Sequence, residues 1–477
     1  MRNIFLIAIL ALIVFFQING EKIPVNEGAI GNAVFYRDVA RFFLDDMENA
    51  GYNLVQLTRI LPFALLNLSF STFHIVKDNQ GLLNGMIIWQ VIYLALAVYW
   101  YFRISKKLRL KVAQTTIGFI LLFFNYAWLK SVWYQPFTPD LMAFALGMGQ
   151  MNYFLRYEKF KLGMVSILGI FVSPLLLLSG LLMLFLPGEK LPVYEGQRPK
   201  SSFPVVLSLI TIILVAVAGW IIWAWSTDNV MDQIMHGLAI LTLPLIIIYL
   251  AIKNSIDWDA AVKQLKKKTK ADRLSKGLMG FVGILLILVM LSGNNSGLGI
   301  FSFLREAGNG AFRFPADFLI STSLQWGLLM LFILVYLLRF VQEMGKLGWS
   351  VCIIMLLNLI LLPFLSPATL AAWIPISGVV LIKALRRYRW TNKDLVLDGA
   401  FALLISLAWL KLNSDSLHSY LTNADPELLS SFAVQKWAMH QPDLISLPVL
   451  ILLFVMYGLL GGYFYIRRKR YQRVLTN

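Results

Sequence analysis

Three charged residues stand where a charge is costly and therefore informative. Asp38 lies between Arg37 and Arg41 in FYRDVARFFLDDME, Arg59 follows Gln56 by one turn in VQLTRILPFALLNLSFSTF, and Asp140 closes the run Ser131 to Pro139 before an apolar stretch. A carboxylate within hydrogen-bond reach of a hydroxyl can act as a general base. Arginine presents a fork of donors that suits a phosphate. Asp140 falls in a first helical turn, where the helix dipole favours a carboxylate. It also sits at the edge of an apolar span, where an ionisable residue is a functional hypothesis by default. Each group has a plainer reading. Asp38 can pair with Arg41 three residues on, Asp140 can satisfy the free donors of a helix start, and Arg59 can anchor lipid headgroups. Asp45, Asp46 and Glu48 read as a solvated acidic face rather than a metal site, and Glu27 is a weaker alternative to Asp38.

The elements that must position these groups follow from composition. The chain has 477 residues, 58% hydrophobic and 14% charged, where a soluble chain would carry about a quarter charged. It is read as an all-α, multi-pass integral membrane protein. A lone Cys352 and four scattered histidines exclude a disulfide framework and a cysteine or histidine metal site. No P-loop or dinucleotide fingerprint is present, which argues against a nucleotide-driven pump.

Apolar stretches fall at 4–18, 82–102, 112–130, 139–155, 203–225, 237–252, 277–293, 315–338, 349–364, 366–382, 396–410 and 444–466. Seven basic segments and Arg2 hold 32 of the 42 lysines and arginines, so one side sums to +23 and the other to −6. The basic side is expected in the cytoplasm. Nucleic acid is therefore not the implied partner of the +17 net charge; membrane lipids are. Stretch 162–187 has basic loops at both ends and must leave and re-enter on one side, as a hairpin broken at Ser173-Pro174. Stretch 60–76 is placed on the outer face. The expectation is about 14 membrane helices, the hairpin counted as two, with both termini cytoplasmic and the first stretch a retained anchor.

Residues 19–81 then form a long first external loop carrying amphipathic helices. Phe35, Val39, Phe42 and Phe43 fall on one helical face, with Arg37, Asp38, Arg41, Asp45 and Glu48 on the other. Polar groups held at the lipid surface suit chemistry on a lipid-linked substrate. Later external loops are expected at 293–315, with Arg305 and Arg313, and at 413–443, with Asp415, His418 and Glu427. On the basic side, WDAAVKQLKKKTKADRLSKG reads as an amphipathic segment on anionic lipid.

The order of a short first helix, a long external loop with an acidic amphipathic helix, a basic loop, two spans joined by a loop ending Pro139-Asp140, and an apolar hairpin broken at a proline resembles the GT-C class of integral-membrane glycosyltransferases. That class includes the protein O-mannosyltransferases and the aminoarabinose transferase acting on lipid A. The resemblance covers roughly residues 1–200 as a catalytic module, leaving 201–477 as additional membrane helices. It implies a polyprenyl-phosphate sugar as donor and an acceptor that is a glycan, lipid or protein. The setting would be the non-cytoplasmic face of a membrane, by default the bacterial inner membrane. Asp38 in YRDV resembles the first-loop catalytic aspartate and Asp140 in TPD the second acidic position, which could orient the base, bind the acceptor or hold a divalent cation such as Mg or Mn. The hairpin apex reads VSP, with Ser173, where many members carry a lysine or arginine, so the donor-phosphate contact falls to Arg59, supported by Arg37, Arg41 and Gln56. Two other classes fit the same frame. A polysaccharide polymerase or ligase would use arginines of a late external loop, and a flippase or transporter would show paired broken helices.

Overall fold

The computed structural model describes residues 2–25, 28–49, 51–194, 203–223, 230–253, 255–268, 271–292, 314–413 and 447–476. The expected loops 293–315 and 413–443, with Arg305, Arg313, Asp415, His418 and Glu427, lie almost wholly outside these residues. Among the described residues the chain is all-helical and forms no strand, only two isolated bridges. Three helices are long and apolar enough to cross a membrane, Asn79–Lys107, Gln233–Leu250 and Leu450–Arg468. Two bent pairs pass the same test jointly, and shorter apolar helices, among them Pro174–Phe185 and Trp349–Leu361, accompany them.

In chain order, α1 (Arg2–Ile18) leads to α2 (Asn32–Asn49), the single turn α3 (Leu54–Leu57) and α4 (Leu61–Thr72). The long α5 (Asn79–Lys107), α6 (Val112–Phe123), α7 (Val132–Tyr134) and α8 (Asp140–Arg156) follow. The expected hairpin is present as α9 (Lys159–Gly169) and α10 (Pro174–Phe185), separated by four non-helical residues ending at Ser173. Its arms approach closely because two positions lack a Cβ. A methyl at Gly169 would come within 2.7 Å of Leu176, and one at Gly180 would overlap the Ser166 hydroxyl. Gln150 of α8 ties the arms together, donating to Ser166 Oγ (2.9 Å) and Leu176 O and accepting from Ser179 Oγ (2.8 Å). Gly180→Ala is therefore expected to cost about 1–3 kcal/mol by forcing the half-helices apart. A thermal melt in detergent checks this, and an unchanged midpoint would show that the arms have slack.

The sequence pattern breaks only this hairpin, but the structure shows further breaks in the stretches 112–134 and 317–345. The stretch 112–134 bends by 59°. At the bend the Asn125 side chain takes over the interrupted backbone ladder, donating to Leu122 O (3.0 Å) and accepting from Trp128 N (3.1 Å). Such an amide competes with the helix for its own backbone, and a π-turn over Ala127–Ser131 follows. The stretch from 317 breaks twice, giving α15 (Asp317–Trp326), α16 (Leu328–Val335) and α17 (Leu337–Gly345), where α11 to α14 are Phe203–Trp223, Val230–Lys253, Trp258–Lys268 and Ala271–Leu291. Gly327 makes the first break at φ +56° and ψ −133°, a conformation that residues with a Cβ rarely adopt. The second, near Tyr336, is an 85° bend. There Arg468 donates to the freed Val335 carbonyl at 2.6 Å.

Segments that charge assigns to one side meet one another. Leu191 N bonds Gly345 O (2.8 Å), Trp349 N bonds Pro187 O (3.1 Å), and Gln114 Nε2 bonds Arg386 O (3.0 Å), all within three residues of basic segments. In α13 the amphipathic pattern buries Trp258 against Trp349 and leaves Lys266 to Lys268 in the last turn. The acidic-side loops converge elsewhere, with Ile23 N on Tyr134 O (3.1 Å).

Candidate functional site

Where segment 19–81 meets the 131–139 loop there is a cavity of about 470 Å³, lined among others by Tyr36, Arg59, Thr138, Asp140, Gln325 and Thr369. Arg59 and Asp140, read separately from the sequence, face the same space.

Asp140 is the first residue of α8, directly after Pro139. The loop before it is pinned by a fully buried amide, Gln90 of α5, which donates to Pro136 O (2.8 Å) and Thr138 O (2.9 Å). Thr138 Oγ1 then donates to Asp140 Oδ2 at 2.6 Å and holds the carboxylate. Arg59 is delivered by α3, whose start is a capping box. Asn53 accepts from Gln56 N, and the Gln56 side chain accepts from Asn53 N, each at 2.9 Å. Gln56, expected to bind substrate, is thus spent on the turn that ends at Arg59. Leu61 N, two residues later, bonds Phe171 O at 2.9 Å, so the hairpin apex props the same turn. Ser173 stands at the N-cap position of α10 without a side-chain cap bond, is buried, and is not among the residues lining the cavity.

Arg59 interacts electrostatically with the Tyr36 hydroxyl and with Asp140. Tyr36 stacks on Phe63 with ring centroids 4.5 Å apart. Burial pushes its phenol above the ordinary range, with the Arg59 charge acting in the opposite sense, so Tyr36 enters the site as a neutral hydroxyl.

Helical phase places Asp38 elsewhere. α2 buries Ala33, Tyr36, Val39 and Ala40, and a residue two positions beyond Tyr36 lies about 200° further round the axis. Asp38 is half-exposed, pairs with Arg37 at 3.5 Å and does not line the cavity. The expected Asp38–Arg41 pair is not formed. Arg41 instead donates to Lys77 O (3.2 Å) and to Asn79 Oδ1, and Asn67 braces the same turn from Ala40 O and Arg41 O. Of the expected apolar face, Val39 is buried and Phe35 and Phe43 pack against the core, while Phe42 leaves helical geometry and is exposed. Among the described residues no three His, Cys, Asp or Glu side chains gather to hold a metal ion. Asp140 is the carboxylate the cavity offers to the divalent cation considered from the sequence.

A second polar cluster borders this cavity and escaped the sequence reading. Lys130, on the π-turn, donates to Glu21 Oε1 at 2.9 Å, with both side chains largely buried. Glu21 also accepts from the backbone N–H groups of Leu412 and Asn413, the latter at 3.0 Å. Tyr134 closes the cluster by donating to Asn413 Oδ1 (2.8 Å). The signal available was a single lysine at the end of an apolar stretch, with no local partner to mark it.

The cluster predicts a pH response. Burial raises the Glu21 carboxyl, but the N–H groups of Asn413 and Leu412 and the Lys130 ammonium outweigh it and hold Glu21 below its usual 4.5. Its stabilising effect is present above that value and is lost as pH falls through the lower folded one. Burial and the Lys130 charge bring Lys22 down to about 8 from 10.5. The unfolded chain then binds the extra proton between those values, so stability rises with pH across that window. Melting midpoints of the wild type and of Glu21→Gln and Lys22→Met across pH should flatten the acid and alkaline limbs respectively; superimposable profiles would count against both linkages.

The chain matches no family model, and no curated protein or solved structure matches it. Its site is therefore read from its own chemistry: one guanidinium, one carboxylate and a wall of neutral hydroxyl and amide groups.

Proposed function

We propose that this chain is a multi-pass membrane glycosyltransferase that moves a sugar from a polyprenyl-phosphate donor to a hydroxyl acceptor at the non-cytoplasmic face of a membrane. About 14 membrane helices, both termini in the cytoplasm and a bacterial inner membrane belong to the same proposal. The observation that carries it is that Arg59 and Asp140 line one cavity where segment 19–81 meets the 131–139 loop. Arg59 holds the donor phosphate with charge-assisted hydrogen bonds. Asp140 takes the proton of the acceptor hydroxyl, and the acceptor oxygen forms its bond to the anomeric carbon. The bond from that carbon to the phosphate oxygen breaks, its electron pair leaving on the phosphate, and a single displacement inverts the centre. Asp38, the base implied by the resemblance, stands outside the cavity, so in this reading the base is Asp140. Trp326 and Leu370, sequence neighbours of Gln325 and Thr369, line a second, almost wholly apolar cavity of about 190 Å³, which suits a substrate with a hydrocarbon part.

The test is transfer of label from a panel of radiolabelled polyprenyl-phosphate hexoses by the purified protein in lipid. Label is expected in a new, more polar product, and an unconsumed panel would argue against the proposal. One observation favours a flippase instead. The break at Asn125 faces the break at Gly327, where a Cβ would lie 3.7 Å from Asn125 Cβ, and discontinuous helices in contact are a transporter device. Movement of a labelled lipid phosphate across proteoliposomes without sugar transfer would select that reading.

A further inference from the structure

Gln325 is a buried polar group of the cavity that the proposed reaction leaves unused. It stands one residue before the end of α15, directly ahead of Trp326, which is fully buried beside Trp128 with ring centroids 5.3 Å apart. Gly327 turns the chain immediately afterwards, so the residue is held at a rigid corner. Gln325 is 5% exposed and lines the same cavity as Arg59 and Asp140, and its side chain makes no hydrogen bond to another described residue. Burying a primary amide is unfavourable unless its donors and acceptor are matched. An amide offers one acceptor oxygen and an NH₂ donor side by side. Two neighbouring ring hydroxyls, each able to donate and accept, complement that pair; a phosphate, which only accepts, does not. The same lining includes Ser366 and Thr369, which bond one another at 2.8 Å and bring further hydroxyl groups to the cavity.

We infer that Gln325 is a specificity-determining residue that binds two adjacent hydroxyls of the sugar carried on the lipid phosphate. The C-terminal half then reads the sugar, while the N-terminal half supplies the phosphate contact and the base. This assignment rests on the glycosyl-transfer reading above.

The experiment measures binding, by thermal stabilisation of the purified full chain in detergent, of unsubstituted polyprenyl phosphate and of polyprenyl-phosphate glucose, mannose and galactose. The wild type is expected to bind at least one hexose form more tightly than the bare lipid phosphate. Gln325→Leu should lose that increment, about tenfold in affinity, and keep its affinity for the unsubstituted lipid phosphate. Gln325→Met serves as a second apolar variant if the first does not fold. Retention of the increment in the apolar variant overturns the inference, as does a wild type that gains nothing from any of the three sugars. Arg59→Met separates the two layers of the argument. If it binds the unsubstituted lipid phosphate as the wild type does, the phosphate contact fails and the inference falls with it; if it loses that binding while Gln325→Leu keeps the increment, the sugar assignment alone fails.

Discussion

Asp140→Asn is expected to lower sugar transfer about 10²- to 10⁴-fold, the range lost when a general base is removed, with little change in folding. Asparagine keeps an oxygen that accepts the Thr138 hydroxyl now bonded to the carboxylate at 2.6 Å, so the side chain is held while its proton affinity is gone. The companion variant Asp38→Asn should retain activity within about threefold, because a half-exposed residue paired with Arg37 outside the cavity touches no reacting atom. Initial rates with saturating donor decide between the two. Full activity in Asp140→Asn with loss in Asp38→Asn would return the base to α2 and require a substrate site other than this cavity.

Lys130→Met is expected to destabilise the fold by about 3–5 kcal/mol, since removing one member of a buried pair strands the other. Glu21 would keep the N–H groups of Leu412 and Asn413 but lose the only cation it is bonded to among the described residues, in a region where both side chains are largely shielded from water. The Lys130 ammonium also sits 5.9 Å from the centre of the Tyr134 ring, a contact that methionine does not reproduce electrostatically. The double variant Glu21→Gln/Lys130→Met should recover most of the loss, because no buried charge is then left unpaired. Unfolding in mixed micelles, followed by tryptophan fluorescence, measures all three. Equal loss in the single and double variants would mean that packing, rather than charge pairing, sets the value of this site.

The residues already legible in the chain are those whose surroundings are local. The hairpin break follows from proline at 174, and Asp140 at a helix start follows from the Pro139 before it. In each case the deciding contact or steric restriction lies within a few residues, and short-range spacing encodes it directly. The same holds for the helical character of the long apolar runs, since a helix satisfies its own backbone hydrogen bonds locally.

The composition of the site was decided by docking. Tyr36 rather than Asp38 reaches the cavity because α2 settled its phase against Phe63, a rotation that the alternation of charges along the helix did not encode. Arg41 finds its acceptors 36 and 38 residues away, Lys130 meets Glu21 across 109 residues, and Gln325 arrives from the opposite half of the chain. Partners at such separations leave no periodic trace in a single sequence, because the free energy that joins them is gained only when whole helices pack. The helix types were therefore set by local chemistry, and the company kept by each charged side chain was set by the tertiary arrangement.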